Sequence, residues 1–407
     1  MELIKTIAQI KIAAAWANYK AGKIDKYQYL IIKSVSNKIL KGKHYDQFVT
    51  SALQGGAGTS INTNVNEVIS GIAKHIHKIN IHPNDHINAS QSTNDVVPSA
   101  LRILSIIKTN EILLQLSKLT GSLLALSKKH KNTVKLSRTH YQDAVPVTYQ
   151  RIFSSYCEIL KRDEIRIRSS LSKLFELNLG GTAIGTSTNT NIVYLNEVYK
   201  KLKVLTGFKL RKAKNLMSLT SSSSDFLELS CHITILHNDL SKISNDIRFL
   251  ASGPKGGVGE IKLPEYLDGS TIMPGKVNPV VPEFMNQIYY YIAGKNLTIQ
   301  LASEASSQEL SIMLPVISDS LISMLDKSAK SIMIFNEKCI RVLEIDRKRT
   351  RQLLENSYAY ATLLTPHLGY DTVKKLVHEA MKKNTTLRNI VIKKGLLTNE
   401  KLNNILK

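Results

Sequence analysis

Between Pro146 and Pro254 the chain contains no proline. Proline removes a backbone donor and collides with the preceding helical turn, so a stretch this long without it leaves helices free to run for many turns. The apolar spacing uses that freedom. Leu3, Ile4, Ile7 and Ile10 recur at three- and four-residue intervals, and residues 25–40 repeat the rhythm. A longer run follows Pro98 through LRILSIIKTNEILLQLSKLTGSLLALSKK, and two more occupy about 281–302 and 308–339. Strand-like segments are few and short. The expected fold class is mainly all-α, built on long helices.

Glycine, proline and short polar residues gather between these runs. They form QGGAGTSINTNVNE (54–67), HPNDHINASQSTNDVVP (82–98), SRTHYQDAVP (137–146), LGGTAIGTSTNT (179–190), and SGPKGGVGE through GSTIMPGKVNP (252–279). Helical bundles carry function where helix ends and loops converge. Hydroxyls, side-chain amides and the N–H groups that glycine exposes make a neutral donor set suited to carboxylate oxygens. The same residues cap helices and build turns, the commoner use of any one cluster. Lys276 lies between Gly275 and Asn278 in a loop bounded by Pro274 and Pro279, a stiff setting in which to meet an anion, although a solvated lysine is the plain alternative. His140 follows Arg138 and Thr139 and is one of 11 histidines, so position alone does not mark it as catalytic. Beyond about residue 345 the helical pieces shorten into what reads as a small separate domain. The expected division is 1–90, 91–345 and 346–407.

Lys and Arg number 55 against 32 Asp and Glu, a formal net charge of +23, which raises the question of nucleic acid. The lysines are spread along the whole chain, and neither an RNP-type aromatic motif nor finger spacing is present. A solvated basic surface that draws in a small dianion is the better reading, with no nucleic-acid partner. Cys157, Cys231 and Cys339 are widely spaced and include no CxxC pair, which argues for thiols in a reducing compartment. No apolar run reaches the ~18–20 residues of a membrane span, and no signal-peptide pattern opens the chain. A cytoplasmic setting without a membrane partner is expected.

GSTIMPGKVNP closely resembles the signature GSSxMPxKxNP of the fumarase/aspartase superfamily. NASQSTNDVVPSA, SRTHYQDAVPVT, LGGTAIGTSTNT and IRFLASGPKGGVGEIKLP resemble that family's other blocks, in the family's order, so the likeness covers essentially the entire chain. It implies a three-domain architecture with a central bundle of long helices, assembled as a homotetramer in which three subunits contribute loops to each active site. KVNPVVPEFMNQ, QGGAGTS, QDAVP and SIMLPVI resemble the ammonia-lyases, whereas HPNDHIN and GGVGEIKLPE sit closer to fumarases. The implied reaction is reversible elimination of ammonia from L-aspartate to give fumarate. Hydration of fumarate to L-malate is the near alternative, and a catalytically impaired homologue the distant one.

By the same resemblance Ser270 is the general base, on a mobile loop that closes over a small dicarboxylate. Removing a proton from C3 leaves an aci-carboxylate whose extra charge needs preorganised donors. Lys276 and Asn278 are implied to hold the α-carboxylate. Ser92, Thr93 and Asn94, with Thr59, are implied to contact the β-carboxylate or the amine, and Thr271 belongs to the binding set. Thr139 and His140 complete the pocket, with Glu283 orienting the imidazole. No cofactor is required and no metal ligand set is implied; stimulation by a divalent metal is left open. The sequence departs from the pattern in places. The N-terminal domain reads as shortened, as does the stretch between Asn66 and His82. Asp268 replaces a proline and adds a negative charge beside the base, and Thr271 replaces a serine, its β-branch stiffening the loop. Ser137 stands for a glycine, and Tyr149-Gln150-Arg151-Ile152 replaces an LGQE-type run.

Overall fold

The computed structural model describes residues 1–405; Leu406 and Lys407, the end of the expected C-terminal domain, lie outside the described residues. Helices α1 (Glu2–Lys20), α2 (Lys26–Leu40), α3 (Thr59–His77) and α4 (Thr93–Lys129) precede a hairpin of β1 (Val134–Thr139) and β2 (Gln142–Thr148). Then come α5 (Tyr149–Lys173), β3 (Glu176–Leu177), α6 (Ile192–Thr206), β4 (Arg211–Lys212), α7 (Leu216–Ser221) and α8 (Ser224–Leu250). β5 (Ile261–Lys262), α9 (Val280–Glu304), α10 (Leu314–Phe335) and β6 (Glu344–Ile345) follow. Five short helices end the described chain: α11 (Arg347–Asn356), α12 (Ala361–Leu368), α13 (Tyr370–Lys382), α14 (Leu387–Lys393) and α15 (Asn399–Ile405). The protein is mainly α-helical, as the periodicity indicates. Among the described residues no helix is long and apolar enough to cross a membrane.

Two boundaries show tertiary contacts overriding local pattern. The run expected at 308–339 becomes helical only at Leu314, because Ser307 and Leu310 form a bridged turn and the Ser311 N–H is held by the Thr220 carbonyl at 3.0 Å. Conversely, α4 begins ahead of Pro98 and includes it. Proline there cannot donate to the Asn94 carbonyl one turn back. The Asn178 side chain takes over, its Nδ2 donating to that oxygen at 2.9 Å.

The chain forms two compact units. The first comprises Met1–Leu113, Asp163–His237 and Tyr289–Lys330. In it α1 packs on α2 and α6, and the long helices are joined by buried apolar residues such as Leu229, Ile233, Ile299 and Leu321. Polar cross-links add direction: Arg102 of α4 pairs with Asp225 of α8 at 2.7 Å, Lys108 of α4 with Asp326 of α10, and Ser230 of α8 with Asn296 of α9 at 2.6 Å. Asp95 is the knot of this unit. Fully buried, it accepts the backbone N–H groups of Ser92 (2.9 Å), Gly180 (2.9 Å) and Thr182 (3.1 Å). Lys11, equally buried, donates to Asn88 and Gln91, each at 3.0 Å, and places its charge near Asp95.

The second unit comprises Leu114–Arg162, Asn238–Ile288 and the chain from Ser331 on. Its apolar core joins Leu136 of the hairpin to Leu354, Tyr360, Leu376 and Val391 of the short helices. Those helices are individually too short to persist alone, so this shared core is what holds them.

Burial raises the Asp95 carboxyl to about 6, against the pull of its three N–H donors and Lys11, and lowers the Lys11 ammonium to about 7. An acid raised above its unfolded value of 3.8 contributes stability that is full below that value and lost as pH rises through about 6. The stability difference between wild type and Asp95→Asn is therefore expected to move against wild type between about pH 4 and 6, measured by urea unfolding. Asp95→Ala strands three buried donors and an unpaired lysine, and should cost about 3–5 kcal/mol.

Candidate active site

The loop between β5 and α9 closes on itself. A Cβ on Gly269 would stand 1.9 Å from the Lys276 carbonyl oxygen, so only glycine lets the two strands of the loop meet. Asn278 Nδ2 locks the closure by donating to the Gly269 carbonyl at 2.8 Å, and Gly275 turns the chain at φ +78°. Within it the Ser270 Oγ accepts the N–H groups of Ile272 at 3.2 Å and Met273 at 3.1 Å. Such a turn is common around serine. Here it also gives the oxygen the donors an alkoxide needs. Ser270 is half-buried, Thr271 and Lys276 are exposed, and Ile272 is 83% exposed, so little burial ties the loop down.

Thr139 and His140 stand at the end of the β1–β2 hairpin, where Thr139 pairs with Gln142 across a two-residue loop. His140 and Tyr141 both have positive φ, +54° and +61°, as a type I′ turn requires. Asn-Gly usually fills that turn. Side chains held in this region carry local strain, which tends to gather at functional sites. The Tyr141 ring rests 5.0 Å from that of Phe249, and His140 is exposed.

Glu260 anchors the hairpin. It is fully buried, with Oε1 accepting from Arg138 Nη1 at 3.0 Å and Oε2 from the Tyr149 hydroxyl at 3.0 Å and Lys135 Nζ at 3.2 Å. Its own N–H is held by the Leu250 carbonyl at the end of α8. Burial lowers the Lys135 ammonium against the attraction of Glu260, and raises the Tyr149 phenol. Glu283 lies half-buried in the first turn of α9. Among the described residues no hydrogen bond joins its carboxylate to the His140 imidazole.

The remaining sequence-derived residues belong to the first unit. Thr59 opens α3 behind Gly58, at φ +90°, which offers no side-chain cap, and the Thr59 N–H is held by the Gly56 carbonyl. Ser92 Oγ accepts the Asn94 N–H at 3.2 Å, and the buried Thr93 Oγ1 accepts from Asn62 Nδ2 at 3.3 Å. Asn94 Nδ2 donates to the Ala183 carbonyl at 2.8 Å, tying this block to the glycine-rich loop after β3. The structure thus groups Ser92, Thr93 and Asn94 in one unit, and His140 and the Ser270 loop in the other.

Sequence reasoning missed the residues that hold these groups: Asp95, Glu260 and Asn178. A signal was present for the first two. Asp95 runs directly into Val96-Val97, and Glu260 sits between Gly259 and Ile261, poor settings for solvated carboxylates.

The chain matches the family described as Lyase over residues 2–294 and that described as Fumarase C C-terminus over residues 361–407. It is 38% identical to an aspartate ammonia-lyase of Bacillus sp over 411 residues, spanning 100% of this chain and 88% of the relative. It is 36% identical to the mitochondrial fumarate hydratase of Homo sapiens over 405 residues, spanning 98% and 79%. The solved structure of a fumarate lyase:delta crystallin from Brucella melitensis bound to cobalt superposes with a TM-score of 0.95 at 36% identity, covering 100% of this chain and 89% of that one.

Gly269→Ala isolates the loop from the rest of the fold. It is expected to lower kcat by about a hundredfold through misplacement of Ser270, and to cost about 1–3 kcal/mol because the added methyl meets the Lys276 carbonyl oxygen and the loop must open. Steady-state kinetics beside thermal unfolding checks both.

Proposed function

The chain belongs to the fumarase/aspartase superfamily of lyases, and from that premise we propose that it eliminates ammonia reversibly from L-aspartate to give fumarate. The observation that carries this reading is the Ser270 hydroxyl, poised in a closed loop with two N–H groups aimed at its oxygen. Ser270, as alkoxide, takes a proton from C3 of the substrate. The electron pair moves into the β-carboxylate as an aci-carboxylate, then forms the C2–C3 double bond as the C–N bond breaks and ammonia leaves.

The in-chain hydrogen bonds suit the donor roles. Ser92 and Thr93 use their oxygens as acceptors within the chain, which leaves each hydroxyl proton to donate outward. Asn94 and Asn278 each spend one N–H on a carbonyl and keep the other. In the proposed site Ser92, Thr93, Asn94 and Thr59 meet the β-carboxylate or the amine, and Lys276 and Asn278 the α-carboxylate. Thr139, His140 and Thr271 complete the pocket, and Glu283 positions the imidazole. Donors fixed before the charge develops cost no reorganisation when it does. No prosthetic group enters the reaction.

These donors divide between two units, and we propose that sites are completed between subunits of a cytoplasmic homotetramer. The ammonia-lyase reading rests on its match to the Bacillus enzyme and on the stretch KVNPVVPEFMNQ. The second reading, fumarate hydratase, is favoured by the 36% identity to the human enzyme over nearly the whole chain. Absorbance of fumarate separates them. L-aspartate is expected to yield fumarate and L-malate not, with Ser270→Ala reducing the rate by at least about a thousandfold. Fumarate from L-malate alone establishes the hydratase instead.

A further inference from the structure

The second unit holds a cavity of ≈ 380 Å³ lined by none of the candidate active-site residues. Three arginines line it: Arg347 and Arg351, one helical turn apart on α11, and Arg388 on α14. Glu355 is the single carboxylate among its described lining residues, and Thr133, at the foot of the hairpin, forms part of the wall.

Among the described residues the positive charges here exceed the negative charge that meets them. Arg351 Nε and Arg388 Nη2 both reach the same Glu355 oxygen, at 2.9 and 3.2 Å. The same two guanidiniums also converge on Asn403 Oδ1, at 3.3 and 3.1 Å. Arg388 Nη1 also donates to Asn399 Oδ1 at 3.2 Å, so two like charges are drawn together around one counter-charge and two neutral oxygens. Among the described residues Arg388 Nε is buried with no hydrogen-bond partner, an N–H whose desolvation is left uncompensated there. Arg347 adds a third guanidinium, and among the described residues it makes no ion pair or hydrogen bond through its side chain. A guanidinium fork matches two oxygens of a carboxylate or phosphate, and several forks around one cavity match a compact dianion.

We propose that this arginine-lined cavity binds a small dianion, either inorganic phosphate or a short dicarboxylate, at a site separate from the one where the lyase chemistry is placed. Arg347 supplies the free fork, Arg351 and Arg388 share the load with Glu355, and Arg388 Nε gains an acceptor. Such binding does not depend on which substrate the lyase site takes.

Isothermal titration of the full-length protein at low salt tests this, with inorganic phosphate in one arm and succinate in the other. At least one anion is expected to occupy a site that Arg347→Ala weakens by about tenfold or more, the loss of a charge-assisted contact. Arg347→Lys, which keeps the charge but not the fork, is expected to weaken it less. Succinate bound at the lyase site is a separate event that Arg347→Ala leaves unchanged, so the two sites are told apart. Arg347 is exposed and, among the described residues, unpaired, and circular dichroism is expected to show its variants folded. Absence of binding in both arms, or equal affinities in wild type and Arg347→Ala, overturns the proposal.

Discussion

Asp95 has no exposed surface, and its two oxygens take N–H groups from Ser92, Gly180 and Thr182. A buried carboxylate is costly unless donors surround it, so the loops that supply those donors are not free to move apart. Through this one group the start of α4, the glycine-rich loop after β3 and, by way of Lys11, helix α1 hold a common geometry. Glu260 repeats the device in the second unit. It draws Lys135 and Arg138 of β1 and Tyr149 of α5 onto the stretch that follows α8. In both places acid residues that touch no substrate in the proposed reaction set the positions of those that do.

The consequence for chemistry is a division between rigid and mobile parts. Ser92, Thr93 and Asn94 are held from several directions, which suits the donor role proposed for them. The Ser270 loop is closed by its own Gly269, Lys276 and Asn278, and is otherwise largely exposed. It can therefore move as one piece without losing the N–H groups that face the Ser270 oxygen. In the proposed reaction the stabilising donors of the base thus travel with it, and the loop's position decides whether it reaches the substrate proton.

The helices were legible because their signal is local. Apolar spacing and missing prolines depend only on neighbours in the chain, and the patterned segments 25–40 and 281–302 correspond to α2 (Lys26–Leu40) and α9 (Val280–Glu304). The candidate residues were legible for a different reason: they lie in blocks whose order resembles a known superfamily. What stayed hidden is non-local. Nothing next to Pro98 says that Asn178 will satisfy the carbonyl it leaves free, and nothing in SRTH says that His140 will sit at positive φ. The hairpin itself reads as a loop in the sequence, since its register depends on contacts with Glu260 and with the core of the short helices.

We propose that the Ser92–Asn94 block of one subunit and the Ser270 loop of another become one active site only when subunits assemble. Mixing two inactive variants tests this most directly. Ser270→Ala damages the loop of the second unit, and Asn94→Ala damages the donor block of the first. The two proteins, unfolded together and refolded as hybrids, are predicted to regain fumarate formation from L-aspartate, because some sites then draw an intact Ser270 and an intact Asn94 from different subunits. Hybrids that assemble fully yet stay as inactive as either parent would contradict the account.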